Sequence, residues 1–177
     1  LYCSFGNGYR LTGNEKYKQV LLKGAESLST RYKDHIGVIR SWDFNRAVWQ
    51  YPVIIDNMMN LELLEWASKH SDNSRFAAIA RSHADVTLKN HFRPDYSCWH
   101  VVSYDTITGQ PEKKHTRQGY SHESSWSRGE AWALYGYVMM YRETQQKHYL
   151  VHAKKVANYI LTHPRMPEDG IPYWDYD

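Results

Sequence analysis

The sequence predicts an all-α fold of three helical hairpins, which together would make about half of a ring of six hairpins. One pattern occurs three times: a polar turn, then an aromatic residue, then an alanine eight positions later. The pairs are Tyr17 with Ala25, Phe76 with Ala84, and Tyr149 with Ala157. Eight residues is just over two helical turns, so the members of each pair share a helix face. The small residue there lets another helix approach closely.

Each repeat follows a second segment with helical character, which makes the unit a hairpin. The preceding segments run from Tyr2 to Leu11, from Asp56 to Lys69 and from Trp126 to Glu143. Short polar turns join them to the next helix, as in antiparallel helix pairs. An open half ring would leave apolar helix faces uncovered, and both ends of the sequence look cut. We therefore expect residues 1–177 to form a single partial domain, truncated at both ends.

The connections between hairpins, residues 33–55 and 92–125, are long and rich in aromatic residues. Long connections of this kind carry function more often than they serve as linkers. Within the second connection, Trp99 to Tyr104 alternates like a short strand, and Thr106 to Gly109 predicts the turn after it.

Composition excludes some classes of function. The net charge is +3 without a long basic block, which argues against a nucleic-acid partner. No apolar run is long enough to predict a membrane span. The 10 histidines lack metal-ligand spacing, so we expect no metal and no cofactor, and we expect the two cysteines, Cys3 and Cys98, to be buried free thiols. The 15 Tyr and 7 Trp fit a sugar-stacking surface or an aromatic core equally well.

Asp56 is the first candidate functional residue. The apolar run Val53–Ile55 leads directly into it, and no cation is adjacent in sequence. Loss of hydration would raise the pKa of this carboxyl towards the range useful for proton transfer. The alternative is that Asp56 only caps its helix, and the local sequence alone favours capping.

A second stretch, residues 117–137, leads into the third hairpin. Ser124 or Ser125 is the predicted N-cap of its first helix. Gly129 and Gly136 are seven residues apart and cost helix stability, which predicts close packing of a neighbouring helix against that stripe.

Arg128 and Trp132 are four residues apart, so they share a helix face. Arg128 lies in the first turns, where the helix dipole disfavours a cation. An anion should compensate it, either a bound carboxylate or an ordinary partner such as Glu123 or Glu130. His100 could hydrogen-bond a ligand, although a lone histidine is more often structural.

Four segments together resemble the unsaturated glucuronyl hydrolases of glycoside hydrolase family 88. They are Ile55–Leu61 (Ile-Asp-Asn-Met-Met-Asn-Leu), Arg117–Tyr120 (Arg-Gln-Gly-Tyr), Trp126–Trp132 (Trp-Ser-Arg-Gly-Glu-Ala-Trp) and Ile171–Asp175 (Ile-Pro-Tyr-Trp-Asp). The resemblance covers the whole chain. It implies an (α/α)6 barrel, of which three hairpins are about half.

The resemblance also implies the chemistry. The expected substrate is a lyase-generated oligosaccharide of glycosaminoglycan type that ends in a 4,5-unsaturated uronic acid. The expected reaction is hydration of the vinyl ether: an acid protonates C4, water adds at C5, and the hemiketal collapses. The general acid/base is expected to be Asp56. The resemblance places five further residues in the sugar pocket: Trp42, His100, Gln118, Arg128 and Trp132.

Two departures from the family pattern matter. A second essential aspartate of the family would lie before Leu1, which leaves the activity of the isolated fragment open. Glu130 also stands where glutamine is more usual. Two other functions remain as alternatives: an unsaturated rhamnogalacturonyl hydrolase acting on pectin fragments, and a non-catalytic helical carbohydrate-binding module. The resemblance implies a cytoplasmic or periplasmic location without deciding between them.

Overall fold

The computed structural model describes residues 1–177 and contains the three expected hairpins. The first comprises a π-helical stretch (Tyr2–Gly6), α1 (Asn7–Thr12) and α2 (Glu15–Ser29); the second comprises a 3₁₀ helix (Ile55–Asn60), α3 (Leu61–Lys69) and α4 (Arg75–Asn90); the third comprises α5 (Ser127–Thr144) and α6 (Lys147–Thr162). None of these helices is long and apolar enough to cross a membrane.

The turns within the hairpins end and start helices by known capping chemistry. After α1, Gly13 adopts a left-handed conformation with φ of 65°. The Asn14 side chain then accepts a hydrogen bond from the Lys16 N–H and caps α2. Between α5 and α6, Gln145 takes the left-handed position. The short polar segments therefore reverse the chain, as the repeat predicts.

The main core lies between the hairpins. Of the three repeated aromatics, Phe76 and Tyr149 are buried there, whereas Tyr17 is half-buried. Of the repeated alanines, Ala25 and Ala84 are fully buried. Ala157 is only half-buried, so the expected close approach is weaker at the third repeat.

The glycine stripe of α5 packs as expected against the 3₁₀ helix that carries Asp56. A Cβ at Gly136 would overlap the Cβ of Met58, and a Cβ at Gly129 would lie 3.3 Å from a methyl of Ile55. The absence of these side chains brings α5 and the 3₁₀ helix close enough for a shared site.

Two small antiparallel sheets form in the connections between hairpins. The first pairs β1 (Tyr32–Lys33) with β2 (Val38–Ile39), and the second has the order β3 (Pro52–Ile54), β4 (Val101–Tyr104), β5 (Pro111–His115). The predicted strand and turn are confirmed, because β4 and β5 are joined through residues 105–110. The second sheet also fastens the two connections to each other, since Val53 is paired with Val102.

A second, smaller core lies beneath these sheets. It consists of six buried side chains: Ile36, Val38, Tyr51, Val53, Val102 and Tyr104. Tyr51 also donates its hydroxyl proton towards the Arg31 and Val38 carbonyls, at 2.7 and 2.9 Å. The connections are therefore packed layers, and they hold the segments on either side of Asp56 in place.

Two local predictions are wrong. Trp126 occupies the cap position of α5, and neither serine caps the helix. The Ser124 hydroxyl instead donates to Asp175, at 2.8 Å, and the Ser125 hydroxyl donates to Glu130, at 2.7 Å. Both serines serve longer-range contacts that local sequence does not reveal. Of the two free thiols, Cys98 is buried but Cys3 is exposed, against the expectation of burial.

Candidate active site

Asp56 is the second residue of the 3₁₀ helix, directly after β3. The cap position belongs to Ile54, so the interpretation of Asp56 as a helix cap is wrong. Burial raises the pKa of the Asp56 carboxyl, and this outweighs the opposing effects of its own backbone N–H and of the Arg128 charge. Its Oδ2 atom is buried without a hydrogen-bond partner. The carboxyl is thus partly desolvated and free to interact with a ligand.

His100 faces Asp56 across a short gap. Its Nε2 atom lies 3.7 Å from Asp56 Oδ2, and the side chain is almost fully buried. Its Nδ1 atom accepts backbone N–H groups of Arg117 and Gln118, at 3.0 and 3.3 Å. Since a backbone N–H can only donate, Nδ1 carries no proton and the neutral ring carries its proton on Nε2. That proton is directed towards Asp56.

Burial, together with the nearby positive charges of Arg128 and Arg117, lowers the pKa of His100 to about 4. The ring is therefore neutral near pH 7. His100 thus carries its proton on the Asp56 side, where Nε2 has no hydrogen-bond partner, and accepts hydrogen bonds from the backbone on the other side.

Gln118 and Arg128 complete one wall of the site. The Arg128 guanidinium donates to the Gln118 side-chain oxygen, and it lies 4.6 Å from the centre of the Trp126 ring. No carboxylate pairs with Arg128. The expected ordinary partners are engaged elsewhere, because Glu130 accepts from the Cys98 N–H and Glu123 lies 4.0 Å from Arg93.

An open cavity of about 570 Å³ lies in front of this wall. Its lining residues are Gln118, Trp126, Ser127, Arg128 and Trp174. It offers one cation without a carboxylate partner, over the Trp126 ring, and a second aromatic residue in its lining, a combination suited to an acidic sugar.

Trp42 lies in the first connection, outside this wall. It is half-buried, stacks on Phe44 at 5.4 Å between ring centres, and meets Trp49 edge-on at 5.3 Å. Its neighbour Ser41 accepts hydrogen bonds from the Ile54 backbone and the Asn57 side chain. The aromatic group is thus tied to both sides of Asp56.

Trp132 is one helical turn beyond Arg128 but lines a different cavity. That cavity, of about 420 Å³, is also lined by Met59, Asn60 and Tyr135. The structure therefore brings Asp56, His100, Gln118 and Arg128 together, but it places Trp42 among the aromatic residues of the first connection and Trp132 at a different cavity. No cluster of three or more His, Cys, Asp or Glu side chains could hold a metal ion.

Sequence reasoning missed several residues of this region. Trp126 lies against the His100 ring, at 4.4 Å between centres, and beneath Arg128. Trp174 donates its indole N–H to the Gln118 carbonyl at 2.9 Å. Both lie in the segments that carried the family resemblance, but their contacts depend on the fold.

Glu130 is a further buried group behind the site. Its Oε1 accepts the Cys98 N–H at 2.6 Å and the Ser125 hydroxyl at 2.7 Å. Burial raises its pKa to about 7, against the lowering effect of these hydrogen bonds. It joins the start of α5 to the segment that leads into His100.

Comparison with known proteins places this arrangement in a family. No protein-family model matches the chain. The chain is 51% identical to an unsaturated glucuronyl hydrolase of Formosa agariphila, over 100% of this chain and 44% of the relative. It is 36% identical to an unsaturated chondroitin disaccharide hydrolase of Streptococcus agalactiae, over 94% of this chain and 42% of the relative.

A solved structure agrees. The crystal structure of an unsaturated glucuronyl hydrolase specific for heparin matches with a TM-score of 0.97 and 50% identity, covering 99% of this chain and 47% of that one. The chain belongs to the unsaturated glucuronyl hydrolase family and forms about half of an (α/α)6 barrel. It spans less than half the length of these relatives.

Proposed function

We propose that the whole protein is a glycoside hydrolase. It would release a 4,5-unsaturated uronic acid from the non-reducing end of lyase-generated glycosaminoglycan oligosaccharides. We also propose that residues 1–177 belong to one catalytic domain. The observation that carries the proposal is the partly desolvated Asp56 carboxyl, whose Oδ2 atom lies 3.7 Å from Nε2 of a neutral His100. The positive charge of Arg128 is close enough to lower the pKa of this carboxyl.

Asp56 is proposed as the general acid/base. Its raised pKa increases the protonated fraction that can deliver a proton to C4 of the vinyl ether. The resulting carboxylate can then take a proton from the water that adds at C5. Burial raises the pKa and Arg128 lowers it, so the group can serve in both protonation states. One carboxyl is enough for this route, unlike the carboxylate pair of direct glycosidic displacement.

The remaining predicted site residues are proposed to bind the sugar. Arg128 and Gln118 suit the uronate carboxylate, since a guanidinium fork matches its two oxygens. His100, whose Nε2 atom lies buried 3.7 Å from Asp56 Oδ2, is proposed to contact the sugar beside Asp56. Trp42 and Trp132 are proposed to stack on sugar rings.

A substrate panel tests the proposed function in the whole protein. Unsaturated disaccharides from glycosaminoglycan lyases should lose the ultraviolet absorbance of their conjugated double bond, with release of a keto acid. Unsaturated products of pectin lyases should react much more slowly. Turnover of pectin products alone would contradict the proposal and favour the rhamnogalacturonyl alternative. Binding without any loss of absorbance would favour a non-catalytic module.

A further inference from the structure

Asp175 is a buried carboxylate to which the proposed reaction assigns no role. Its side chain forms no ion pair, and a buried carboxylate is costly unless hydrogen bonds replace its lost hydration. Its Oδ2 atom accepts from the Tyr120 N–H and the Ser124 hydroxyl, both at 2.8 Å. Its Oδ1 atom accepts from the Asp177 N–H at 3.1 Å. The carboxylate therefore ties residues 119–124 to a part of the chain more than fifty positions away.

The residues just before this tied segment hold His100. The backbone N–H groups of Arg117 and Gln118 donate to His100 Nδ1, at 3.0 and 3.3 Å. A single residue separates Gln118 from Tyr120, whose N–H is held by Asp175. A displacement of Tyr120 would therefore also displace the two N–H groups that fix the imidazole ring.

Gly119 lies between the part of the loop that Asp175 holds and the part that holds His100. Its N–H donates to the Thr116 hydroxyl at 2.7 Å and closes a tight turn. A Cβ at Gly119 would lie 2.9 Å from Asp175 Oδ2 and 2.7 Å from the Thr116 hydroxyl oxygen, so glycine lets the carboxylate approach the turn. The neighbouring Trp174 adds a second tie, since its indole N–H donates to the Gln118 carbonyl at 2.9 Å.

We propose that Asp175 is a positioning residue for the reaction, which acts through residues 116–124 and keeps His100 in one tautomer and one orientation beside Asp56. Asp175 contacts neither His100 nor Asp56 itself. While the loop is in place, His100 Nδ1 faces backbone donors and can only accept, so the ring proton stays on Nε2, 3.7 Å from Asp56 Oδ2. The inference rests on the proposed function for its effect on rate.

The test compares Asp175→Ala with the parent in the whole protein. With an unsaturated glycosaminoglycan disaccharide, kcat/KM should fall roughly tenfold to 100-fold, the order of loss that misplaced groups at a reacting centre cause. The second readout is the nitrogen NMR spectrum of isotope-labelled His100 near neutral pH. It should change from the pattern of a single Nε2–H tautomer towards that of two exchanging tautomers. A merely structural role for Asp175 would not move this signal.

Asp105→Ala is the matched control. Asp105 also accepts two backbone N–H groups and one hydroxyl, from Ile107 and Thr108 in the turn between β4 and β5. This turn follows β4, whereas His100 precedes that strand. The control variant loses as many hydrogen bonds as Asp175→Ala, but it should leave both kcat/KM and the His100 signal unchanged.

A milder variant decides the question if circular dichroism shows that Asp175→Ala does not fold. Ser124→Ala removes one of the two hydrogen bonds between Asp175 and the loop. Its kcat/KM should fall about fivefold, the equivalent of one hydrogen bond, and its His100 signal should shift in the same direction.

The outcomes separate the two proposals. If the parent is active and the folded variant matches it in either readout, the positioning role of Asp175 is wrong and the proposed function stands. A fall in kcat/KM with an unchanged His100 signal is included in that result. If the parent turns over no unsaturated disaccharide, the proposed function is wrong, and the His100 signal alone then decides whether Asp175 holds the ring.

Discussion

The helical hairpins and the connections between them are held together in different ways. Within the hairpins, contacts follow the helical repeat, as at Ala84 and Gly136, and turns a few residues long set the geometry. The connections depend on hydrogen bonds between distant residues. Asn57 donates to the Ile39 carbonyl at 2.8 Å, and the Tyr120 N–H donates to Asp175 at 2.8 Å across 55 positions.

This difference explains where the chemistry lies. The candidate site forms where the two parts meet. Asp56 Oδ2, at the start of the second hairpin, and His100 Nε2, in the second connection, are both buried without hydrogen-bond partners. The hairpins therefore supply Asp56 and Arg128, and the second connection supplies His100 and Gln118.

The largest effect on stability is expected at Glu130, which links the start of the third hairpin to the second connection. Its pKa is about 7 in the folded protein against 4.5 as the ordinary value. The folded state therefore binds the proton more tightly, and the stability that this provides is lost as pH rises from 4.5 through 7. Glu130→Gln should keep both accepted hydrogen bonds. Because glutamine does not ionise, the variant should not lose stability as the pH rises. Urea unfolding of the whole protein at pH 8 should show a gain of about 3 kcal/mol.

The matched control for that variant is Glu15→Gln, at an exposed carboxylate on α2. It should change stability little at either pH. Equal stability of parent and Glu130→Gln at pH 8 would mean that the Glu130 charge is compensated, and the link between α5 and the His100 segment would have to be explained otherwise.

The next effect on stability concerns packing between the helical hairpins alone. Gly136→Ala should destabilise the whole protein by about 2 kcal/mol, because the added methyl would overlap Met58. At an unhindered helical site the same change would stabilise by about 1 kcal/mol. Denaturant midpoints measure the difference, and Val138→Ala, at an exposed site on the same helix, serves as the control. A stabilising Gly136→Ala would show that the stripe does not pack against the 3₁₀ helix.

The smallest effect concerns the connection alone. Ser41 accepts from the Ile54 N–H at 2.9 Å and from the Asn57 side chain at 3.1 Å, on either side of Asp56. Ser41→Ala should cost about 1 kcal/mol of stability. It should also lower kcat/KM, because Asp56 loses alignment. Ser27→Ala, on the exposed face of α2, should change neither quantity. Loss of stability with unchanged kinetics would show that these bonds do not position Asp56.

The contrast between the repeating contacts of the hairpins and the long-range contacts of the connections also decides what could be predicted from sequence. The hairpins were predictable because their contacts repeat at helical spacing, and so was the stripe of Gly129 and Gly136. Strand β5 was not, since Pro-Glu-Lys-Lys-His lacks apolar alternation and forms a strand only by pairing with β4. The tautomer of His100 was also hidden, because it is fixed by backbone groups 17 and 18 residues away.

The predicted site residues divide in a similar way. The family resemblance proposed Asp56, His100, Gln118 and Arg128 as a group, and the fold brings these four together. Their roles stay predictions. The resemblance could not show that Trp132 lines a different cavity from Arg128, because that depends on how α5 packs.

The most direct test of the account is Asp56→Asn in the whole protein, assayed with an unsaturated glycosaminoglycan disaccharide. The substitution is nearly isosteric and removes only the acid. We predict that kcat falls by roughly 10²- to 10⁴-fold, the usual contribution of a general acid/base. The dissociation constant, measured by calorimetry on the inactive variant, should stay close to the KM of the parent. Turnover at the parental rate would contradict the assignment of Asp56 as the proton donor.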